Sequence, residues 1–558
     1  MSVFVRKPMA ALMNEAEETG SHTLKRTLGA GGLIALGIGA VIGAGLFSIT
    51  GMAAANHTGP AITISFIIAA VGCVFAGLCY AEFASMIPVA GSAYTYSYAT
   101  MGELIAWIIG WDLVLEYAVG AATVSISWSR YLVKFFEGFN IHLPASLTLG
   151  PWDGGIINLP AVLIIVMMSL LLMKGTKESA FINSIIVGLK IAVVLIFIFL
   201  GWRYIHDSNY IPYIPVNNGK FGEFGFSGII RAAAIVFFAY IGFDSVSTAA
   251  QEAKNPKRDM PWGILGALAI CTILYILFAH VLTGVTNYRT FAGKDGIAPV
   301  AMAIEKMGTV DSSGIIHPDF PWLNRAIVLA ILAGYSSVIL VMLMGQSRVF
   351  FSMSKDGLIP KIFSRIHPQT QTPVKNNLFF MLFVCLFGAF VPARVVGEMT
   401  SIRTLFAFIL VCIGILVMRK KMPELPRAFR TPMVPLVPIL GVITCLFMMV
   451  FLPMDTWIRL LVWMLIGMDI YLAYGAKKSK LGNGTINRRG MKLARWTGII
   501  IAGLLILAGL LNQYVIGFDG DRVLLYISVT LAIIHFGMFA SKLSRKEPLK
   551  HEKQENNI

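Results

Sequence analysis

Four charged side chains stand inside long apolar runs of the sequence, where a charge needs a specific role. Lys190 lies in the run Ile-Ile-Val-Gly-Leu-Lys-Ile-Ala-Val, and Asp112 and Glu116 lie one helical turn apart in another run. Asp244 lies in a third run. A charge at the centre of a bilayer costs about 2.5–3.5 kcal/mol or more, so such residues typically bind ions, carry protons or pair with one another. The chemistry that they could do is proton transfer and the binding of a charged ligand.

Two apolar segments that would position these charges are interrupted by glycine. The first reads Gly-Ile-Gly-Ala-Val-Ile-Gly-Ala-Gly-Leu-Phe-Ser-Ile-Thr-Gly at residues 37–51, with Gly43, Ala44 and Gly45 in its middle. Glycine weakens a helix and leaves backbone groups free. In a membrane, free backbone groups are tolerated only where they line a cavity or bind something. The segment therefore predicts a binding site that is built from the backbone.

The second interrupted segment reads Ile-Val-Phe-Phe-Ala-Tyr-Ile-Gly-Phe-Asp-Ser-Val-Ser-Thr-Ala-Ala at residues 235–250, with Gly242 and Asp244 inside the run. If the first ten spans form two repeats of opposite topology, the two interruptions correspond, and such pairs indicate a substrate site near the membrane midplane. Helix N-termini suit the carboxylate of an amino acid, and freed carbonyls suit its ammonium group. The alternative, that glycines only let helices pack closely, fits Gly37 and Gly39 better.

Composition places the chain among polytopic membrane proteins. Of its 558 residues, 57% are hydrophobic and 13% are charged, whereas soluble domains carry about 25% charged residues. The mean hydropathy is +0.75. Hydropathy windows of about 19 residues predict fourteen spans, near 29–53, 60–86, 98–128, 157–174, 181–201, 226–250, 261–285, 321–350, 377–393, 401–418, 435–453, 456–475, 496–518 and 522–541.

Lys and Arg residues predict the orientation of the spans. They gather in the segments that would be cytoplasmic if the N-terminus is inside, which places both termini in the cytoplasm and accounts for the net charge of +16. Because this charge is divided among short loops, it does not indicate binding to nucleic acid. The predicted parts are a cytoplasmic N-terminal segment (1–28), a first repeat (29–201), a second repeat (226–418), peripheral helices (435–541) and a cytoplasmic tail (542–558).

Several of these segments resemble amino acid permeases of the amino acid–polyamine–organocation superfamily. The resemblance is carried by the glycine-rich residues 37–47, by Phe-Phe-Ala-Tyr-Ile-Gly-Phe-Asp at 237–244 and by Gly-Gln-Ser-Arg at 345–348. The subgroup that is most similar is the cationic amino acid transporter type, including its bacterial members. The resemblance implies an all-α, inverted-repeat core of five plus five helices (LeuT-type), four additional C-terminal helices and transport by alternating access.

The resemblance also implies a substrate site that the two breaks share. The first break would bind the substrate carboxylate through its backbone, and an aromatic ring, that of Phe238, would close over the substrate from the second. The implied residues at the breaks are Ile42, Gly43, Ala44, Gly45, Phe238, Ala239 and Ile241. Glu116 would face this cavity and attract a cationic side chain, or pair with Lys190. The alternative is that Glu116 is a hydrogen-bonded acid that ties helices together.

Proton-coupled relatives carry a lysine at the place of Lys190. There the ammonium group stands in for a sodium ion between the first and eighth helices, with Gly39, Ala40 and Ser336 as the implied neighbours. The alternative is a structural lysine with a fixed partner. Asp244 is expected either to cap the helix that follows the second break or to take part in proton coupling.

Charges at the inner ends of the spans suggest a gate. Glu82, Arg348 and Lys355 are interpreted as an ion-pair set on the cytoplasmic side, with ordinary interface charges as the alternative. Two residues depart from the family pattern. Gln251 stands where an acid is usual, and Arg403 stands at the mouth of the tenth span, where glycine is usual.

The sequence thus predicts proton-coupled symport of L-amino acids, with cationic, broad or small neutral substrates such as alanine all open. An amino acid exchanger is the alternative, although Lys190 argues for symport, and a membrane amino acid sensor is a third reading. No catalytic or nucleotide-binding motif is present, so an enzyme is not expected. The cysteines and histidines show no metal-ligand spacing, and the proton is the only coupling ion predicted. The expected location is the plasma (inner) membrane, with room for a small accessory membrane subunit outside the core.

Overall fold

The computed structural model describes residues 4–17, 28–89, 91–174, 176–292, 299–310, 316–368, 370, 372–481, 488–514 and 522–539. Within these residues, nine helical stretches are long and apolar enough to cross a bilayer, and four shorter apolar helices accompany them. A helix suits a bilayer because it satisfies its backbone hydrogen bonds within one segment. The prediction of a mostly helical membrane protein is confirmed, whereas the number of crossings stays a prediction.

Within its described residues, the first part of the chain forms nine α-helices. An irregular stretch with two π-helical turns separates α2 from α4. The third predicted span begins at Glu103 rather than near residue 98, because Gly102 has a φ angle of +103° and ends the short helix before it. The helices are α1 (Met9–Glu17), α2 (Ala30–Val41), α3 (Thr50–Ala53), α4 (Ile62–Met86), α5 (Ala93–Thr100), α6 (Glu103–Glu137), α7 (Ala145–Thr148), α8 (Leu159–Lys174) and α9 (Thr176–Gly201).

The described residues of the second part form seven α-helices and a small hairpin. Helix α13 and the hairpin lie in the loop between α12 and α14, and a methyl group added to Gly51 would lie 2.6 Å from Cβ of Pro299 in α13. The loop therefore covers the end of the first span. The elements are α10 (Gly225–Val236), α11 (Ser245–Thr248), α12 (Pro256–Val285), α13 (Pro299–Glu305), β1 (Gly308–Val310), β2 (Ile316–Pro318), α14 (Pro321–Lys355), α15 (Val374–Phe390) and α16 (Ala393–Lys421).

Three of the C-terminal helices, α18, α20 and α21, form a small unit beside the main core, whereas α17 packs on α4 and α16 within it. Helices α20 and α21 pack on α18 and on each other, around a separate apolar cluster of Ile458, Leu465, Ala502, Leu505 and Ala532. The helices are α17 (Leu436–Val450), α18 (Met454–Ile470), α19 (Ala476–Lys478), α20 (Arg488–Tyr514) and α21 (Arg522–Met538). The predicted tail, 542–558, and residues 18–27 of the predicted N-terminal segment lie outside the described residues.

Close helix packing positions the interrupted segments. Helix α12 packs on α2 and α4, while α6 packs on α14 and α16. A methyl group added to Gly37 would lie 2.6 Å from Cβ of Ala267, so α2 and α12 approach closely at this glycine. A methyl group added to Gly43 would lie 2.8 Å from Cγ2 of Val338 in α14. Gly37 therefore allows close packing of two helices, which is the alternative role that the sequence suggested for it. The first break lies against α14.

Candidate functional site between the two helix breaks

The first break begins where α2 ends, at Val41. Ile42 is extended, with φ −74° and ψ 106°, and its amide donates the last hydrogen bond of the helix. No acceptor in the described part of the chain takes the amide hydrogens of Gly43, Ala44 and Gly45, and the next helical turn begins at Gly45. Three unpaired amides at a helix start, with its positive dipole end, form a place for an anion such as a carboxylate.

The second break follows a 3₁₀ turn that ends at Tyr240. Ile241 is extended, with φ −61° and ψ 132°, and Gly242 has a φ angle of +118°. Glycine adopts this conformation without steric cost, and other residues rarely do. Asp244, at the N-cap position of α11, accepts a hydrogen bond from the amide of Gly242 at 3.2 Å. Its carboxylate thus holds the break itself, and the expected side-chain capping bond to the helix that follows is not formed.

The two breaks touch each other. A methyl group added to Gly45 would lie 2.2 Å from Cα of Ala239 in the second break, and one added to Gly242 would lie 2.9 Å from the backbone of Ala40. Real Cβ atoms do not approach other atoms this closely, so both contacts require glycine. The interrupted segments therefore form one unit in which the backbones meet directly.

Tyr275 of α12 joins the two breaks by its hydroxyl group. This group lies 2.9 Å from the carbonyl oxygen of Val41 and 2.8 Å from that of Ala239, which are freed where the two helices stop. Its side chain is fully buried. The sequence by itself does not indicate this residue, because one tyrosine in an apolar span gives no local signal that its hydroxyl lies at two breaks.

The side chains at the second break are apolar and buried. Phe238 is 4% exposed and Ile241 is 1% exposed, and the amide of Ile241 donates to the carbonyl of Phe238 at 3.2 Å. A site with a polar backbone and an apolar lining suits the two parts of an amino acid, its charged α-carbon groups and its side chain.

Lys190 of α9 lies behind the first break. Its Nζ atom donates to the carbonyl oxygen of Gly39 at 2.6 Å, and lies 3.4 Å from Oγ of Ser337 in α14. The side chain is 1% exposed. In a continuous helix the carbonyl of Gly39 would accept from the amide of Gly43, four residues on. The break frees this carbonyl, and the buried ammonium group occupies it.

The serine beside Lys190 is Ser337 and not the expected Ser336. The hydroxyl of Ser336 donates to the carbonyl of Leu332 within its own helix at 2.9 Å, while Ser337 donates to Oδ1 of Asn183 at 2.5 Å. Successive residues of a helix point about 100° apart, so Ser336 and Ser337 lie on different faces of α14. Asn183, which no sequence pattern indicates, is a further neighbour.

Glu116 does not pair with Lys190. Its Oε1 atom accepts from the hydroxyl of Thr404 in α16 at 2.6 Å, while no hydrogen-bond donor in the described residues reaches Oε2. Asp112, one turn earlier, lies 3.6 Å from Nε of Arg403. Glu116 thus ties α6 to α16 through one oxygen, and its second oxygen stays open to a further partner.

The expected inner ion-pair set is divided between separate partners. Glu82 accepts two hydrogen bonds from Arg419 at 2.9 Å, and its carboxylate lies 3.2 Å from Nε of Arg427. Arg348 pairs instead with Glu252. The predicted contact between Glu82 and Arg348 is therefore wrong, because α4 meets the end of α16 and the loop after it, rather than the end of α14.

Known proteins resemble this chain over most of its length. A sequence model of the family described as amino acid permease matches residues 28–470. The branched-chain amino acid permease BcaP of Bacillus subtilis (strain 168) is 45% identical over 484 residues, which are 86% of this chain and 99% of that protein. The methylthioribose transporter of the same organism is 42% identical, with the same two shares.

A plant protein matches at a lower level. The vacuolar cationic amino acid transporter 4 of Arabidopsis thaliana is 33% identical over 76% of this chain and 68% of that protein. All three relatives are transport proteins by name, in agreement with the predicted function class. The chain therefore belongs to the amino acid permease family of the amino acid–polyamine–organocation superfamily, whose members are multi-pass membrane transporters rather than enzymes.

Proposed function

We propose that the protein is a secondary active transporter that couples the uptake of L-amino acids to protons. The observation that carries the proposal is the hydrogen bond from Lys190 to the carbonyl of Gly39, which joins a titratable group to the broken helix. A charged donor contributes about 1.5–3 kcal/mol to such a bond, more than a neutral one. Gain or loss of one proton would therefore change how firmly α2 is held to α9.

The substrate would bind with its carboxylate on the amides of Gly43, Ala44 and Gly45. Its ammonium group would lie near the carbonyls at the second break, and Phe238 would close over its side chain. This assignment is supported by the unpaired amides of the first break and by the direct contact of the two breaks. The proton is the coupling ion, and we propose no other cofactor.

We further propose an inverted-repeat core with alternating access. Residues 29–201 and 226–418 would be the two five-span repeats, and 435–541 the peripheral helices, which gives fourteen crossings. In support, an interrupted helix stands at the start of each proposed repeat, α2 in one and α10 in the other. Both termini would be cytoplasmic, in the plasma (inner) membrane. An accessory membrane subunit stays a prediction that co-purification would test.

Uptake into liposomes tests this proposal. Purified protein should accumulate radiolabelled amino acid when an inward proton gradient is imposed, without amino acid inside the vesicles. Lys190→Ala should still bind amino acid but lose gradient-driven accumulation. Lys220→Ala, whose side chain is 76% exposed, is the matched control and should behave as the wild type.

Two results would overturn the mechanism. Uptake that does not depend on the proton gradient, or that is unchanged in the Lys190→Ala variant, contradicts proton coupling. Uptake that occurs only when the vesicles contain amino acid identifies an exchanger instead.

A further inference from the structure

Arg403 is a fully buried cation in the middle of the described core. Its side chain on α16 is 0% exposed. Nη1 donates to the carbonyl of Met399 in its own helix at 2.7 Å, while Nε and Nη2 have no hydrogen-bond acceptor among the described residues. A guanidinium group is always charged and carries five donors, so such burial needs a carboxylate nearby.

Two carboxylates on α6 lie beside this guanidinium. Asp112 is 0% exposed, and its Oδ1 lies 3.6 Å from Nε of Arg403. Glu116 lies on the same face, one turn later, and accepts from Thr404, the residue after Arg403. Arg403 interacts electrostatically with both acids. It therefore neutralises part of the negative charge that α6 carries into the core.

A third carboxylate, that of Asp244, connects this group of charged residues with the second break. Tyr117, adjacent to Glu116, donates to Oδ2 of Asp244 at 2.6 Å, and Asp244 accepts from the amide of Gly242 with its other oxygen. Glu116 and Asp244 also interact electrostatically. The field at the break, where a substrate side chain would lie, thus depends on three carboxylates and one guanidinium.

We propose that Arg403 is the residue that sets the charge of the accepted side chain, and that the transporter selects amino acids with neutral side chains. This inference rests on the proposed function. Without Arg403, the carboxylates would attract a cationic side chain. With Arg403, the charge of Asp112 is offset, and the carboxylate of Asp244 is already held by Tyr117 and by the amide of Gly242. A lysine or arginine side chain would then lose its solvation without gaining a full counter-charge, because the remaining carboxylate, that of Glu116, is shared with Thr404 and the same guanidinium.

The size of the effect follows from Coulomb's law. For a separation of about 10 Å between two unit charges, at an effective dielectric constant of about 20, Coulomb's law gives a change in the binding constant of roughly ten- to twenty-fold. The change applies only to a charged side chain. A neutral side chain of the same shape should bind about equally whether or not Arg403 is charged.

The test compares ligands that differ in charge but hardly in shape. Dissociation constants of L-arginine and L-citrulline are measured on the purified full-length protein by calorimetry, with L-lysine and L-norleucine as a second pair. The readout is the ratio of the arginine constant to the citrulline constant. The variants are Arg403→Met, Asp112→Asn and the double variant Asp112→Asn/Arg403→Met, with melting temperatures recorded for each.

The ratio of the arginine constant to the citrulline constant should follow the net charge of Asp112 and Arg403 together. The wild type should bind citrulline at least ten-fold more tightly than arginine. Arg403→Met should lower the ratio about ten-fold, Asp112→Asn should raise it, and the double variant should return it to the wild-type range. If Arg403→Met alone fails to fold, the role of Arg403 is tested by comparing Asp112→Asn with the double variant, which differ only at residue 403.

Other outcomes have separate meanings. Equal binding of arginine and citrulline by the wild type, or a ratio that all variants leave unchanged, overturns this inference and leaves Arg403 as a structural tie between α6 and α16. Alanine, valine and leucine are added to the four ligands, and failure of the wild type to bind any member of this panel contradicts the proposed function instead. Binding of these smaller amino acids but of none of the four ligands also overturns the inference, because size rather than charge then decides.

Discussion

Lys190 donates a hydrogen bond of 2.6 Å to the carbonyl oxygen of Gly39, in the last turn of α2 before the first helix break. That carbonyl is available only because the helix stops, since its partner in a continuous helix would be the amide of Gly43. The ammonium group therefore contacts the same interruption that leaves three amides open for a carboxylate. The proposed proton site and the proposed substrate site thus share one broken helix, and they could influence each other without a long chain of contacts.

The two adjacent serines of α14 offer a matched test of this site. Ser337→Ala should lower proton-driven uptake about five-fold, because it removes one hydrogen-bond partner of Lys190, and such a bond is worth roughly 1 kcal/mol. Ser336→Ala should leave uptake unchanged, since that hydroxyl bonds within its own helix. Initial rates in liposomes provide the measurement. Equal effects of the two substitutions would contradict the assignment of Ser337.

Gly45→Ala should abolish amino acid binding. Its methyl group would lie 2.2 Å from Cα of Ala239, so the two breaks would have to separate. Gly188→Ala in α9 is the control, because no atom lies within 4 Å of the added methyl group. Calorimetry with the preferred amino acid measures binding in both variants. Wild-type affinity in Gly45→Ala would show that the substrate binds elsewhere.

Tyr275→Phe should reduce transport by roughly ten-fold while the protein still folds. The substitution removes the hydroxyl group between the carbonyls of Val41 and Ala239, and each buried carbonyl left without a donor costs about 1–3 kcal/mol. Tyr526→Phe, at a side chain that is 65% exposed, is the control for the loss of a hydroxyl. A Tyr275→Phe variant with unchanged transport rates would exclude a role for this bridge in the cycle.

Glu82→Gln should destabilise the protein by roughly 3 kcal/mol, the usual result of removing one partner from a buried ion pair. Its carboxylate is 0% exposed and holds Arg419 together with Arg427. Glu137→Gln, at a side chain that is 41% exposed and paired with Lys134, should change stability by less than about 1 kcal/mol. Melting temperatures in detergent compare the two variants. Similar values for both would argue against a stabilising role of the Glu82 cluster.

Much of this architecture follows from local features of the sequence. The spans follow from runs of apolar residues, and the breaks follow from Gly43, Gly45 and Gly242, because glycine weakens a helix wherever it stands. The depth of Lys190 follows from its distance along one apolar run. Each of these properties depends on a residue and its neighbours in the chain, so the sequence by itself determined them.

The partners of these residues depended on the tertiary structure. Ser337 rather than Ser336 contacts Lys190 because the packing of α14 on α6 and α9 decides which face of α14 meets the lysine. Glu82 meets Arg419 and Tyr275 meets both breaks because distant spans come together in space. Helix rotation and helix pairing are set by the fit of many side chains at once. A short motif does not contain that information, and only the folded chain decided which partner each of these residues has.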